Sequence, residues 1–422
     1  MKTTNSMKKY LTLLLLAVVS AAAGAGCSSD DRTVQITSLK LNEKDLELTV
    51  GQSFQLVAAT RPADAGVTLK WSSSDQTVAT LQEPPLDPSA ALAAPLSDEL
   101  IYSKNVLLYA PRRIMQGFDL TESGSIYYSQ VGSDGATLNI CRAAGPGLNA
   151  QTDYMILKYF GHGTQIVAEE ASDGKTYIWL NSNASVDKSG EYGDNWSVSR
   201  VEFVPGATSD AGYAGETFFL NKDGQYDQQV SIDFGARRLL IGSRRSGVRY
   251  FWIFDLDEAL ALPLKKMTAT VTVGSAGSEP VTREIEARDL NDCRVLGGFS
   301  VPAGSDKEND VYSYSHQGHE VAGNYVYFYE GNAVETGADS FESKAYVTVF
   351  NYSGKIVVPR TEVAAVADKA GLAAAGLTTT GYAEGESLKV RDGKLYLGVA
   401  CRDGSSGNRR ANILVYDCVQ GE

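Results

Sequence analysis

The sequence has no concentration of positive charge. It contains 38 lysine and arginine residues against 51 aspartate and glutamate residues, which gives a net charge of −13. A protein that binds nucleic acid or another polyanion through bulk charge needs the opposite balance. The composition therefore argues against nucleic acid as a partner, and a phosphate-rich ligand would need a local basic site.

Histidine is scarce, with three residues in 422, and the motifs of several enzyme classes are missing. No two histidines have H-x-x-x-H spacing, and there is no G-x-S-x-G, no Gly-rich phosphate loop and no CxxC pair. Asn221–Gly224 is interpreted as a turn rather than a calcium loop. The sequence predicts no cofactor and no metal site, and it favours a binding protein over an enzyme.

Cysteine is scarce too, with five residues. Outside the cytoplasm, the four that follow Cys27 could form two disulfides in three possible pairings. They could equally be buried free thiols that pack as small apolar side chains. The four are Cys141, Cys293, Cys401 and Cys418.

No apolar run reaches the roughly 20 residues that span a bilayer. Leu11–Ala23 is shorter, follows a segment with three lysines and no acid, and ends in small residues before Cys27. This anatomy predicts a signal peptide over residues 1–26. Gly24-Ala25-Gly26-Cys27 resembles a lipobox, with Gly24 where leucine is usual, so we expect cleavage before Cys27 and lipid on its thiol.

The residues after Cys27 are acidic and polar. Ser28-Ser29-Asp30-Asp31 resembles the export tag of surface lipoproteins of the Bacteroidota type. We therefore interpret residues 27–33 as a lipidated tether. The expected location is the outer membrane, at the cell surface, with the membrane contacted through the lipid anchor.

Residues 34–82 carry the alternating apolar positions of half-buried strands. Four landmarks follow one another here: Leu48-Thr49-Val50-Gly51, a loop around Pro62, Trp71-Ser72-Ser73-Ser74-Asp75 and Val78-Ala79-Thr80. In this order they resemble the bacterial Ig-like domain of group 2, a small β-sandwich that usually serves as a spacer. Residues 83–99, rich in proline and alanine, are interpreted as a linker.

Residues 100–422 contain a repeated hairpin, in which an aromatic or aliphatic strand is followed by a second alternating strand. Such repeats predict an all-β propeller, because a ring of blades hides the strand edges. The first strands of the five hairpins begin at Ile126, Tyr177, Leu239, Val326 and Leu395.

Two segments bear on the blade count. The chain ends soon after the fifth hairpin, so a spare strand at Asn105–Ala110 is expected to complete the last blade. Five blades are predicted, although Leu256–Ser315 leaves room for a sixth. Val363–Ala375 is predicted to be one short helix.

A polar cluster precedes each first strand, and the three histidines of the chain all lie in these clusters. If the clusters meet at one end of the central channel, they form a concave polar site; alternatively they hydrogen-bond one another and plug it. The predicted ligand-binding residues are Gln116, His162, Gln229, Gln317, His319, Glu384 and Glu386.

Other side chains have two possible uses. Trp179, Trp196 and Trp252 could stack on sugar rings, although packing between blades is the usual role of a large ring. Arg244-Arg245 and Arg409-Arg410 could hold phosphate or carboxylate, or lie in solvated turns.

Several of these motifs follow the order of one known pattern. Gln116-Gly117-Phe118, Tyr159–Thr164, Tyr177-Ile178-Trp179 and Glu384-Gly385-Glu386 resemble the propeller shared by teichoic acid biosynthesis protein C, tailed-phage receptor-binding proteins and helveticin J. The resemblance covers residues 115–203 and the last repeat. It implies a propeller that binds a cell-surface glycan or glycopolymer.

Three functions are consistent with the sequence. The leading prediction is a surface lipoprotein whose propeller binds glycan. The second is a glycan hydrolase or lyase that uses His162, His319 and Glu386. The third is a structural or adhesive module that binds another protein.

Overall fold

The computed structural model describes residues 38–41, 58–61 and 102–417, the last with gaps at 135–136, 145–146, 149–151, 187–191, 211–215, 273–278, 338–339, 378–379 and 403–406. The predicted signal peptide, tether and linker, and Cys418, lie outside the described residues. From the N-terminal segment, Ser38–Leu41 (β1) pairs in antiparallel with Ala58–Arg61 (β2).

The remaining described strands form a five-bladed propeller. From the channel outward, blade 1 contains Gly117–Leu120 (β4), Ile126–Val131 (β5), Thr137–Ala143 (β6), Thr152–Lys158 (β7) and Thr208–Asp210 (β11), and blade 2 contains Ile166–Glu170 (β8), Thr176–Val186 (β9), Tyr192–Glu202 (β10), Glu216–Phe219 (β12), Pro280–Asp289 (β17) and Leu264–Thr272 (β16). In the same direction, blade 3 contains Tyr226–Asp233 (β13), Arg238–Arg245 (β14), Val248–Asp255 (β15) and Val295–Pro302 (β18), and blade 4 contains His316–Ala322 (β19), Tyr325–Gly337 (β20), Ser340–Asn351 (β21) and Ile356–Glu362 (β22). Blade 5 contains Ala383–Arg391 (β23), Lys394–Arg402 (β24), Arg409–Asp417 (β25) and Ser103–Val106 (β3).

The predicted ring closure is confirmed. β3 pairs in antiparallel with β25 and is the outer strand of the fifth blade, so the start and the end of the propeller share one sheet. The strand was predicted at Asn105–Ala110 and lies slightly earlier, at Ser103–Val106. Within this strand, the Asn105 N–H donates to the side-chain Oδ1 of Asn412 at 2.7 Å.

The sequence predicted the aromatic strands as the first strands of the repeated hairpins, and the structure has one further strand before each of them. The aromatic strands such as β5 and β20 are the second strands of their blades, and the inner strands are the polar clusters that precede them. Second strands are covered on both faces by the neighbouring blades. In β20, for example, Phe328 packs towards blade 3 and Tyr329 towards blade 5. Unbroken apolar runs indicate such two-sided burial.

Five apolar clusters fill the spaces between adjacent blades and hold the ring together. The cluster between blades 2 and 3 contains Trp179 and Trp252, both buried, and the cluster between blades 5 and 1 contains Phe118 and Ile413. Large-ring burial of this kind supplies most of the contact area between sheets. These two tryptophans therefore pack between blades.

The segment from Leu256 to Ser315 does not form a sixth blade. It contains the helix Leu256–Ala261 (α1), the hairpin β16–β17, the 3₁₀ turn Leu290–Asp292 and β18. The hairpin leaves blade 3 and joins the outer edge of blade 2, where β17 runs parallel to β12. The inner face of this hairpin is buried and is formed by Ala269, Ile285 and Ala287.

The single helix predicted at Val363–Ala375 is two shorter pieces, a 3₁₀ turn at Ala364–Val366 and a helix at Lys369–Ala374 (α2). Asp368 caps α2 by accepting from the N–H of Gly371. Because an N-cap residue has extended backbone, the helical run is interrupted at this position.

The three described cysteines beyond the N-terminal segment, Cys141, Cys293 and Cys401, are buried free thiols. Burial raises the pKa of the Cys141 thiol to about 12. Of the two possibilities that the sequence left open, the structure has free thiols at these positions, acting as small apolar side chains.

Candidate functional site

The polar clusters lie where the inner strands begin, and this end of the channel is called the mouth here. Gln116 directly precedes β4, His162 lies in the loop before β8, and the other predicted residues lie in β13, β19 and β23. All five blades thus bring at least one predicted ligand-binding residue to the same end. Their part in binding a ligand stays a prediction.

Two of the predicted glutamines use their amide groups within the protein. Gln229 Nε2 donates to Thr164 Oγ1 at 3.0 Å, which links blades 3 and 2. Gln317 Nε2 donates to the carbonyl of Gly331 at 2.7 Å, in the next strand of its own blade. These contacts agree with the alternative in which cluster residues satisfy one another.

Irregular pairing near the mouth affects three of the inner strands. The register shifts between Tyr226 and Gln229 in β13, between His316 and Gly318 in β19, and between Gly385 and Leu388 in β23. Two residues within these bulges have left-handed backbone: Asp227 has φ 56° and Ser387 has φ 63°. Bulges re-aim side chains and are frequent beside functional sites.

In blade 5, four side chains lie in or near the bulge and are called the carboxyl cluster here: Tyr382, Glu384, Glu386 and Arg409. Tyr382 Oη donates to Glu384 Oε2 at 2.7 Å, and the Arg409 guanidinium lies 4.9 Å from the centre of the Tyr382 ring. Glu386 is 3% exposed. Burial, and then the negative charge of Glu384, hold the pKa of Glu386 well above its usual range, against an opposing effect of Arg409.

The Glu386 carboxyl group has no hydrogen-bond partner among the residues that the structure describes. Its neighbours in the strand are constrained, since a Cβ on Gly385 would lie 2.8 Å from Tyr329 Oη and the backbone at Ser387 is left-handed. A buried polar group without a partner is costly and rare in native proteins. Glu386 therefore has unused hydrogen-bonding capacity at the mouth, as do the buried atoms His319 Nε2, Gln229 Oε1 and Ser387 Oγ.

In blade 4, two histidines contact each other. His319 Nδ1 lies 3.2 Å from His316 Nε2. Burial, followed by the charge of Arg249, holds the pKa of both imidazoles well below the usual value, so both are neutral at pH 7. The His319 ring lies over Gly242 of blade 3, where a Cβ would approach His319 Cε1 to 2.5 Å.

Beyond the mouth, a charged network crosses the channel. Glu320 accepts from Lys389 Nζ at 3.0 Å, from Arg391 Nη1 at 2.7 Å and from Ser231 Oγ at 2.9 Å. Arg391 also donates to Asp119, which accepts from the N–H groups of Leu120 and Ala168, both at 2.8 Å. The five inner strands all take part, and two acids balance two bases. This half of the channel is filled.

Sequence reasoning missed these network residues and several residues at the mouth. Asp119 and Lys389 look like ordinary surface charges in the sequence, because their partners are far away along the chain. Asp227 directly precedes the polar pair Gln228-Gln229, and Tyr382 lies two residues before Glu384. A search of the flanking positions for charged or aromatic residues would have found both.

No group of three histidine, cysteine, aspartate or glutamate side chains suited to a metal ion occurs within the part of the chain that the structure describes. At Asn221–Gly224 the chain makes a turn, in which Gln225 N–H donates to the carbonyl of Lys222 at 2.9 Å. In the same described part, no helix has the length and apolar character needed to cross a membrane.

Comparison with known families identifies the N-terminal module. Residues 35–83 match the family model of the bacterial Ig-like domain (group 2). The N-terminal module is a bacterial Ig-like domain. The match agrees with the four landmarks found in the sequence and with the pairing of β1 and β2.

Similarity to a curated protein covers part of the chain. This chain is 30% identical over 165 residues to the protein of Bacillus subtilis (strain 168) described as major teichoic acid biosynthesis protein C. The aligned region is 37% of this chain and 36% of that protein. The chain therefore matches about a third of the length of this relative.

Two solved structures that are similar to this chain are described as an α-L-arabinofuranosidase and a polysaccharide lyase. The α-L-arabinofuranosidase from Lactobacillus brevis is 12% identical, with 74% of this chain and 92% of that chain covered and a TM-score of 0.36. The polysaccharide lyase Uly1 is 9% identical, with 78% and 100% covered and a TM-score of 0.28. The propeller assignment rests on the strand pairing of this chain.

Proposed function

We propose that the propeller binds a cell-surface glycan or glycopolymer at the mouth of its channel. The observation that carries this proposal is Glu386, a buried carboxyl group without a hydrogen-bond partner among the described residues. Burial raises the pKa of Glu386 well above its usual range, which favours the neutral carboxyl group. A neutral carboxyl group offers one donor and one acceptor, which matches the hydroxyl groups of sugars.

The surroundings of Glu386 support the same kind of ligand. Glu384 adds an acceptor and Arg409 adds a set of donors, and the Tyr382 hydroxyl group orients Glu384. A concave site with an apolar wall and a few convergent polar groups is the usual form of a small-ligand site. The partial likeness to a protein named for teichoic acid biosynthesis supports a glycopolymer as the ligand.

The test compares Glu386→Ala with Glu386→Gln on a glycan array, followed by titration of the best glycan. Alanine removes the hydrogen bonds and should weaken binding about tenfold or more. Glutamine keeps a donor and an acceptor in a neutral group and should bind within a few-fold of the wild type. Glu342→Ala, an exposed carboxylate of blade 4, is the control. Wild-type affinity in Glu386→Ala would sink the proposal.

The melting temperature of the same variants separates binding from plugging. Because Glu386 has no partner among the described residues, its truncation leaves no donor unpaired, and Glu386→Ala should melt close to the wild-type temperature. Truncating Gln317, whose amide is bonded to Gly331, should lower the melting temperature instead. A large loss of stability in Glu386→Ala would favour a plug, in keeping with the filled far half of the channel.

The raised pKa of Glu386 also supports a second candidate, a glycan hydrolase or lyase with Glu386 as general acid. The same two variants distinguish the candidates. Glutamine cannot donate a proton as a general acid does. If Glu386 is the acid catalyst, Glu386→Gln should therefore still bind glycan but form no product. Mass spectrometry of the incubated glycans measures the product. If the wild type forms no detectable product from any glycan that it binds, the hydrolase or lyase candidate is excluded and glycan binding remains as the function.

We further propose that the protein is displayed at the cell surface by lipid on Cys27, with the Ig-like domain as a spacer. The support is the signal-peptide anatomy of residues 1–26 and the small residues before Cys27. Cys27→Ala should move the protein from the membrane fraction to the soluble fraction, because the lipid supplies most of the membrane affinity. Unchanged fractionation would contradict the anchor.

A further inference from the structure

Two arginines of blade 3 face each other at the mouth. Arg244 in β14 and Arg249 in β15 are directly opposite in the strand register. Like charges at opposite positions of an antiparallel pair repel each other. The carboxylate between them is Asp227, whose Oδ2 lies 3.2 Å from Arg244 Nε and 3.3 Å from Arg249 Nη1. One negative charge is thus shared by two guanidinium groups.

Arg249 is the buried member of this pair. Its side chain is 5% exposed, its one hydrogen bond to Asp227 is long, and its Nε has no hydrogen-bond partner. A buried charge is tolerated in proteins when it is paired and its hydrogen bonds are satisfied. Asp227 meets these requirements in part, so Arg249 retains positive charge and hydrogen-bonding capacity for an external anion.

Among the residues that the structure describes, Arg249 has no carboxylate partner other than Asp227. His316 and His319 adjoin Arg249 and are neutral, and the charge of Lys389, which lies next to His319, is already paired with Glu320. Gln229 Nε2 lies 3.4 Å from Asp227 Oδ1 and competes with the arginines for the same carboxylate. Arg249 is therefore incompletely paired in the part of the mouth between blades 3 and 4.

We propose that Arg249, with the imidazole of His316 beside it, binds an oxyanion group of the ligand, which makes that ligand an anionic glycan. This inference rests on the proposed function, because the same mouth holds the carboxyl cluster in blade 5. A planar guanidinium pairs readily with phosphate, sulfate or carboxylate. Sugar hydroxyls would contact Glu386 while the charged substituent reaches Arg249.

The experiment titrates the purified full chain with inorganic phosphate, sulfate and acetate at constant ionic strength, with chloride as the reference. The melting temperature and the heat of binding are measured. At least one anion should stabilise the fold saturably, as a ligand of the native state does. Comparison of the three identifies which kind of oxyanion fits the site.

Two variants at the site should act in opposite directions. Arg249→Gln removes the guanidinium and should weaken the preferred anion about ten- to a hundredfold. Asp227→Asn removes the competing carboxylate and should strengthen the same anion. Arg238→Gln, which removes an arginine paired to Asp255 elsewhere in blade 3, is the matched control and should leave the affinity unchanged.

Three results would overturn the inference: no saturable effect of any of the three anions, equal loss in Arg249→Gln and Arg238→Gln, or weaker binding in Asp227→Asn. If Arg249→Gln does not fold, the direction of the change in Asp227→Asn decides. Anion binding without any glycan binding would sink the proposed function and leave this site standing. Glycan binding that depends on Glu386, with no response to phosphate, sulfate or acetate, would overturn the anion site and leave the proposed function standing.

Discussion

Arg391 of the last blade donates from Nη2 to both carboxylate oxygens of Asp119 in the first blade, at 2.7 and 2.9 Å. The Asp119 side chain is fully buried, and the two residues lie 272 positions apart. The same guanidinium also bonds to Glu320 of blade 4. This ion pair joins the two ends of the propeller at the channel, as β3 joins them at the outer edge.

Replacing Asp119 with alanine should therefore be strongly destabilising. The change leaves the Arg391 charge short of a partner and the N–H of Ala168 unpaired, and breaking a buried pair costs about 3–5 kcal/mol. Urea unfolding measures the change. Asp257→Ala, in an exposed pair with Arg237, should cost much less, because surface ion pairs contribute little to stability. Similar losses of unfolding free energy in the two variants would mean that the Asp119–Arg391 ion pair contributes no more than a surface pair.

The closing strand depends on Asn412, which is buried and accepts the N–H of Asn105 at 2.7 Å. Asn412→Ala leaves that N–H without its acceptor and should lower the free energy of unfolding by about 1–3 kcal/mol. Thermal and urea unfolding provide the measurement. Asn221→Ala, at an exposed turn position, should stay within about 0.5 kcal/mol of the wild type. An unchanged midpoint for Asn412→Ala would argue against a stabilising role for this contact.

The raised pKa of Glu386 predicts a pH dependence of stability. Between the ordinary glutamate pKa, about 4.3, and the raised folded value, the folded state holds more protons than the unfolded state, so stability falls as pH rises. Glu386→Gln removes this effect. Its stability relative to the wild type should grow from pH 4 upward until Glu386 ionises in the folded protein. Parallel pH profiles of the two proteins would contradict the assignment.

Gly242 lies against the His319 ring, and a Cβ there would come within 2.5 Å of Cε1. Gly242→Ala should cost about 1–3 kcal/mol through overpacking. In a His319→Ala background the same change should cost much less, because the obstructing ring is gone. Gly235→Ala, where the nearest atom would be 3.4 Å away, is the control. An equal cost with and without the ring would show that another contact is responsible.

Much of the architecture could be predicted from the sequence because the signals are local. Runs such as Val326–Tyr329 are buried on both faces, so the second strands stand out as aromatic segments. The landmarks from Leu48 to Thr80 and the spare strand near Asn105 are equally readable. The inner strands were recognised as polar clusters but not as strands, since their side chains line a channel and follow no apolar alternation.

The sequence by itself determined the all-β class, the Ig-like module, the repeated hairpins and the set of polar residues before them. Only the tertiary structure decided how these residues are used. It paired Asp119 with Arg391 across the ring, moved the β16–β17 hairpin from blade 3 onto blade 2, and left Glu386 without a described partner while Gln317 found one. The physical reason is that an inner-strand side chain can reach any of the other blades across a narrow channel. Its partner is therefore set by three-dimensional distance and burial, which hydrophobic periodicity along the chain does not encode.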